Sequence, residues 1–184
     1  MAVQSSMLPL GTALPSFRLP DTVSGRSVSS DELGGKPLVV AFICNHCPYV
    51  KRIREGLAAF GRYASERGIG FVGISSNDPA AYPDDAPDKM AAEAHALGWT
   101  FPYLYDETQD VARAFQAACT PEFYVFDARG SLAYRGQFDE ARPKNDAPVT
   151  GADVRAAVEA LLAGRSPSAD QKPSIGCSIK WKVG

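Results

Sequence analysis

Two cysteines spaced three apart, Cys44 and Cys47, lie where an apolar run gives way to a helical period. Thiols at that spacing reach each other across one turn, so they can cycle between dithiol and disulfide. The start of a helix carries unpaired N–H groups and partial positive charge. Both favour a thiolate over a thiol, and the thiolate attacks disulfides or peroxides. We expect Cys44 to be the nucleophile and Cys47 to resolve the mixed disulfide that forms on it. Pro48 leaves the order of the two open. Proline is favoured at the first helical position, and a helix beginning there makes Cys47 its N-cap and the more activated thiol.

His46 stands between the cysteines. Protonated, it adds positive charge and makes the pair more oxidising. Turned to solvent, it merely tolerates the turn, and the sequence leaves both open. A structural zinc site wants four ligands, and no second CxxC exists to supply them. Cys44, His46, Cys47 and Cys177 would have to improvise one. Copper, which soft thiolates favour, is a smaller alternative. The reading therefore calls for no metal and no cofactor. Asp84, Asp85 and Asp88 read as a solvated acidic loop, and His95 as a surface residue on a helix.

Positioning the pair requires a strand, a turn and a helix. Residues 38–43 form an unbroken apolar run, the pattern of a strand buried on both faces. After Pro48, apolar residues recur at Val50, Ile53, Leu57, Phe60 and Ala64, with Lys51, Arg52, Arg54 and Glu55 off that face. Gly68 ends this helix. Residues 69–74 read as a second buried strand, and Met90, Ala94 and Leu97 as the face of a second helix. Residues 101–105 give a short strand, and Val111, Ala112 and Phe115 another helix face. Residues 122–126 and 132–134 flank a turn at Gly130, a β-hairpin. Val154, Val158, Leu161 and Leu162 mark a last helix.

Alternating strands and helices followed by a late hairpin imply an α/β fold, a central mixed sheet flanked by helices. Before it, Ser16–Pro20 and Arg26–Val28 suggest an N-terminal β-hairpin extension. The chain has 184 residues, which suits a single domain over 1–184. Residues 1–15 are expected to be flexible. Residues 165–184 form a tail that Ile175, Ile179 and Trp181 should dock.

The formal net charge is −2, so nothing global attracts nucleic acid or an anionic membrane. No segment approaches the roughly 20 apolar residues of a membrane helix. The first ten residues lack the charge and apolar core of a signal peptide. We read a cytoplasmic protein, and there four cysteines are not a disulfide framework.

The run Cys44-Asn45-His46-Cys47-Pro48-Tyr49-Val50-Lys51 after an apolar strand resembles the thioredoxin-like redoxins, and more narrowly their peroxiredoxin-like (AhpC/TSA-related) members. Further matching stretches are Ser75–Asp78, Phe101–Glu107, Cys119–Tyr124, Tyr134–Gln137 and Pro173–Lys182. The resemblance implies a thioredoxin-like fold and a cis proline facing the pair, for which Thr120-Pro121 is the match. There the backbone of Thr120 would pair with an extended substrate. Cys119 then lies near the site, as a third thiol or as buried filler. Cys177 either reaches back as a resolving thiol or packs, and Arg135 either adds charge at the site or pairs at the surface.

The departures are specific. Thioredoxins carry Trp before the first cysteine and Gly-Pro between the two, where Ile43 and Asn45-His46 stand here. The peroxiredoxin pattern Pro-x-x-x-Thr-x-x-Cys is incomplete in both registers. Counting back from Cys44 gives Pro37 but Ala41, and from Cys47 gives Val40 and Cys44. Three functions follow. The first is a thiol–disulfide oxidoreductase acting on a protein or small-molecule disulfide and recharged by a cellular dithiol. The second is a thiol peroxidase. The third is a non-enzymatic metal- or partner-binding module.

Overall fold

The computed structural model describes residues 1–184. In chain order the strands and helices are β1 (Ala2–Gln4), β2 (Arg18–Pro20), β3 (Ser27–Ser29), β4 (Leu38–Phe42), α1 (Pro48–Arg67), β5 (Gly70–Ser75), α2 (Pro87–Ala96), β6 (Tyr103–Tyr105), α3 (Asp110–Ala114), β7 (Cys119–Thr120), β8 (Glu122–Phe126), β9 (Leu132–Gly136), α4 (Ala152–Leu162) and β10 (Ile175–Ser178).

The five-stranded sheet runs β6-β5-β4-β8-β9. β4 is central, parallel to β5 and antiparallel to β8, with Val40 opposite both Val72 and Tyr124. Every residue of β4 is buried, the physical reason its run shows no polar alternation. Successive side chains leave a strand on opposite faces. Val39, Ala41 and Ile43 accordingly join Ile53, Leu57 and Phe60 of α1 and Val154 and Val158 of α4 in one core. Leu38, Val40 and Phe42 face the other way, onto Phe115, Tyr124 and Phe17. Each such buried Val, Leu, Ile or Phe side chain contributes about 1.5–3 kcal/mol. β4 is thus an immobile base from which the cysteine turn departs. The N-terminal extension is a hairpin of β2 and β3, with Leu19 opposite Val28.

A second, three-stranded sheet departs from the expectations. Residues 1–15 are not a loose leader. β1 pairs antiparallel with β10, and β10 in turn with β7. Ser5 N–H donates to the Ser174 carbonyl at 3.0 Å, and Leu8 is buried. The short apolar segments at the two ends are each too brief to read as strands. Each becomes one by pairing with a segment far away in sequence.

β10 approaches β7 so closely that only glycine fits at 176. A Cβ there would meet the Thr120 carbonyl oxygen at 1.9 Å. Gly176→Ala is therefore expected to lower stability by about 1–3 kcal/mol through overpacking, read from the urea unfolding midpoint. An unchanged midpoint would mean that β10 does not pack there.

Candidate active site

The site grows from the end of β4. Ile43 still donates to Ile74 across the sheet, and the chain then turns through Cys44–Cys47 into α1. The residue before a proline is sterically kept out of helical geometry. Pro48 imposes this on Cys47, whose φ of −67° and ψ of 124° are extended. The helix thus begins at Pro48 and Cys47 is its N-cap, with Lys51 N–H bonding to the Cys47 carbonyl at 2.9 Å. Of the two arrangements Pro48 left open, the fold adopts the second.

That placement divides the two thiols. The Cys44 thiol donates to the Cys47 sulfur, which lowers the Cys47 pKa to about 5 against the opposing effect of burial. The thiol and backbone N–H of Cys177 also stabilise the Cys47 thiolate. So does the Val50 N–H, turned toward the sulfur without closing a regular capping bond. The carbonyl of Thr120, 3.2 Å from the Cys47 sulfur, works the other way, since it accepts from a thiol and repels a thiolate. Several donors against one acceptor leave the charge on Cys47. Cys44 is pushed well above the ordinary thiol value by the proton it shares with Cys47, by burial and by the Asp85 carboxylate. The better-stabilised thiolate is thus Cys47 and not Cys44, because the helix starts one turn later than the expectation for Cys44 required.

The cis Thr120–Pro121 bond faces the pair. The Thr120 hydroxyl lies 3.3 Å from the Cys44 sulfur, so that side chain points at the site. Side chains directly opposite in an antiparallel pair share a face. Cys177, opposite Thr120, therefore faces the site too. Cys119, the next residue on β7, faces away. Its sulfur lies 3.7 Å from the Glu122 carboxylate, and burial and that charge push its thiol far up. The tertiary structure thus brings Cys177 to the pair and keeps Cys119 from it. Arg135 is also elsewhere, bonding the Leu8 carbonyl and Gln171.

Asp85 corrects the picture of a solvated acidic loop. It is 0 % exposed, at the end of a 3-10 turn, Pro83–Asp85. One carboxylate oxygen accepts the N–H groups of Asn45 and His46 at 2.8 and 3.1 Å. The other accepts the His46 Nδ1 and the Asn77 amide. One buried carboxylate thus holds the whole Cys44–Cys47 turn. Nothing in residue type separates Asp85 from Asp84 or Asp88. The one local hint is the bracketing by Pro83 and Pro87, which pins the turn.

His46 is not turned freely to solvent, the second of the two readings from sequence. Its ring is tied to Asp85 and stacked on Tyr82, with centroids 4.8 Å apart. Cys44, His46 and Asp85 offer ligand atoms within 4.8 Å of one another. Each Asp85 oxygen already takes two N–H donors, however, so an ion would have to displace the bonds that shape the turn.

Both sulfurs of the pair are 0 % exposed, whereas Cys177 is half-buried. What lies over the pair includes β10, the middle strand of the three-stranded sheet, held between β1 and β7. No helix is long and apolar enough to cross a membrane.

Comparison with known proteins agrees with this architecture. The model of the AhpC/TSA family matches residues 10–135. An uncharacterized conserved protein from Geobacillus kaustophilus is 49% identical, with a TM-score of 0.98 over 100% of this chain and 98% of that one. The thioredoxin domain of a thiol-disulfide oxidoreductase from Bacteroides vulgatus superposes with a TM-score of 0.62 at 18% identity, over 80% of this chain and 96% of that one. Peroxidoxin BcpB from Mycobacterium tuberculosis gives 0.64 at 21%, over 85% and 98%. The fold is thioredoxin-like. Among curated proteins, FixW from Rhizobium leguminosarum is 26% identical over 138 residues, 72% of this chain but 62% of FixW.

Proposed function

Since the chain belongs to the AhpC/TSA family, we propose that it is a thiol–disulfide oxidoreductase in which Cys47 and Cys44 form the redox pair. The observation that carries this reading is Cys47 at the N-cap of α1, its charge supported by the Cys44 thiol. The Cys47 thiolate attacks one sulfur of a substrate disulfide and expels the other as a thiolate. Cys44 then gives up its proton, which goes to that leaving thiolate. It attacks the Cys47 sulfur, releasing the second substrate sulfur and closing a Cys44–Cys47 disulfide. Two electrons have passed to the substrate, and a cellular dithiol returns them by the reverse exchange. Such a cycle suits a reducing compartment such as the cytoplasm. Asp85 acts here as a positioning residue, holding the turn between the two sulfurs.

A second reading, thiol peroxidase, is favoured by the burial of both sulfurs, because a small oxidant passes where a bulky one does not. The Cys47 thiolate would attack the terminal peroxide oxygen, breaking the O–O bond to become a sulfenic acid, and the remaining oxygen would leave as an alcohol or water after taking up a proton. Cys44 would then condense with it, releasing water and leaving the same disulfide.

Purified protein with a dithiol supply distinguishes the two. Our first reading expects steady reduction of a protein disulfide, lost when either cysteine is replaced by serine. Peroxide consumption without disulfide reduction would replace it with the second. Inactivity toward both would leave only a binding role for the fold.

A further inference from the structure

The position beside the cis proline, where an extended substrate would pair, is already filled by the chain itself. β10 runs antiparallel along β7, with Cys177 opposite Thr120 and Ser178 opposite Cys119. Gly176 lies so close to the Thr120–Pro121 backbone that a side chain there could not fit. Cys177 shares the face of Thr120, whose hydroxyl touches Cys44 and whose carbonyl oxygen touches the Cys47 sulfur. It packs against the same buried cluster as the pair. From the outer side β1 clamps β10, with Ala2 opposite Cys177.

We propose that β10 is a built-in substrate mimic: it presents Cys177 to Cys47 as an incoming cysteine peptide would, and a Cys47–Cys177 disulfide latches it there. This rests on the redox pair proposed above and adds how access to that pair is regulated. The latch closes by exchange. In the oxidised protein Cys177 loses its proton and attacks the Cys47 sulfur. A Cys47–Cys177 bond forms, the Cys44–Cys47 bond breaks, and the electron pair leaves on Cys44, which takes up a proton. No oxidant is needed beyond the substrate that first oxidised the pair. The half-buried Cys177 sulfur is then the one an external thiol reaches. Its attack expels Cys47, the better-stabilised thiolate, as the leaving group. β10 is thus one element of the cover over Cys44 and Cys47, placed where a substrate strand would pair.

The test is cross-link mapping on the full chain. Tryptic residues 27–51 hold Cys44 and Cys47, and residues 166–180 hold Cys177. Cys44→Ser protein, treated with oxidised glutathione and digested without reductant, is expected to join these two peptides in most molecules. Cys47→Ser is expected to give about one-tenth as much or less, because Cys44 is the weaker thiolate. Glutathione adducts on Cys47 without the cross-link would overturn the proposal, as would equal cross-linking in both variants. Hydrogen exchange gives a second readout that does not depend on those variants. In oxidised wild-type protein the amides of 175–179 are expected to exchange about tenfold more slowly than in the reduced protein, and equal or faster exchange would overturn the latch. Cross-linking in a protein that turns over neither disulfide nor peroxide would refute the enzymatic reading and leave the latch standing. Catalytic turnover without the cross-link would do the reverse.

Discussion

Cys47→Ser is expected to lower disulfide reduction by on the order of 10³-fold, with no residual capture of substrate. Cys44→Ser, by contrast, should still take one substrate sulfur onto Cys47 and then stop. The asymmetry follows from where α1 starts. Cys47 caps the helix, and its pKa is lowered to about 5, chiefly by the Cys44 thiol. Cys44 holds the shared proton and is pushed the other way. Because the Cys47 value is lowered, its thiolate is present above about pH 5, and reactivity is lost as the pH falls through that value. An unassisted thiol would lose it near pH 8.5. The rate of alkylation against pH, with thiolate absorbance as a parallel readout, checks this. Cys44→Ala removes the principal donor and should move the midpoint upward. If the low midpoint survives in Cys47→Ser and vanishes in Cys44→Ser, the roles of the two sulfurs are reversed and the mechanism fails as written.

The second large effect belongs to a residue that touches no reacting atom. Asp85→Ala strips the acceptor from the backbone N–H groups of Asn45 and His46 and from the Asn77 amide. Each buried donor left unpaired costs about 1–3 kcal/mol, so a loss of about 3 kcal/mol or more in the unfolding free energy is expected. Asp85→Asn keeps the shape but turns an amide toward existing donors, and should cost less. It also removes a negative charge that raises Cys44, so the Cys44 thiol should titrate at lower pH. Stability alone would fall with any buried disruption. A downward shift of Cys44 in the asparagine variant is what a merely structural carboxylate would not produce. Wild-type stability in the alanine variant would remove Asp85 from the turn.

Several parts of this protein were legible in its residues because the information is local. The unbroken run of 38–43 requires burial on both faces, and the period from Val50 to Ala64 requires a helix with one apolar side. The CxxC between them sits at a junction where helix electrostatics act on sulfur. Those features place the two cysteines of the proposed pair without any knowledge of distant contacts. The choice between its members was also half present in Pro48, whose ring excludes Cys47 from the helix.

What the residues could not disclose lies at long range. Asp85 meets the turn at sequence separations of 40 and 39, and nothing in its type separates it from the exposed Asp84 beside it. β1 and β10 are too short to be strands by themselves, and only pairing between the two ends of the chain makes them so. The pairing of β10 with β7 turns Cys177 toward the pair, while one step of alternation along β7 turns Cys119 away. Local sequence sets the backbone and the apolar faces because sterics and burial act within a few residues. Which carboxylate, and which third sulfur, reaches the site is decided by strand register and chain closure, which exist only once the whole molecule has folded.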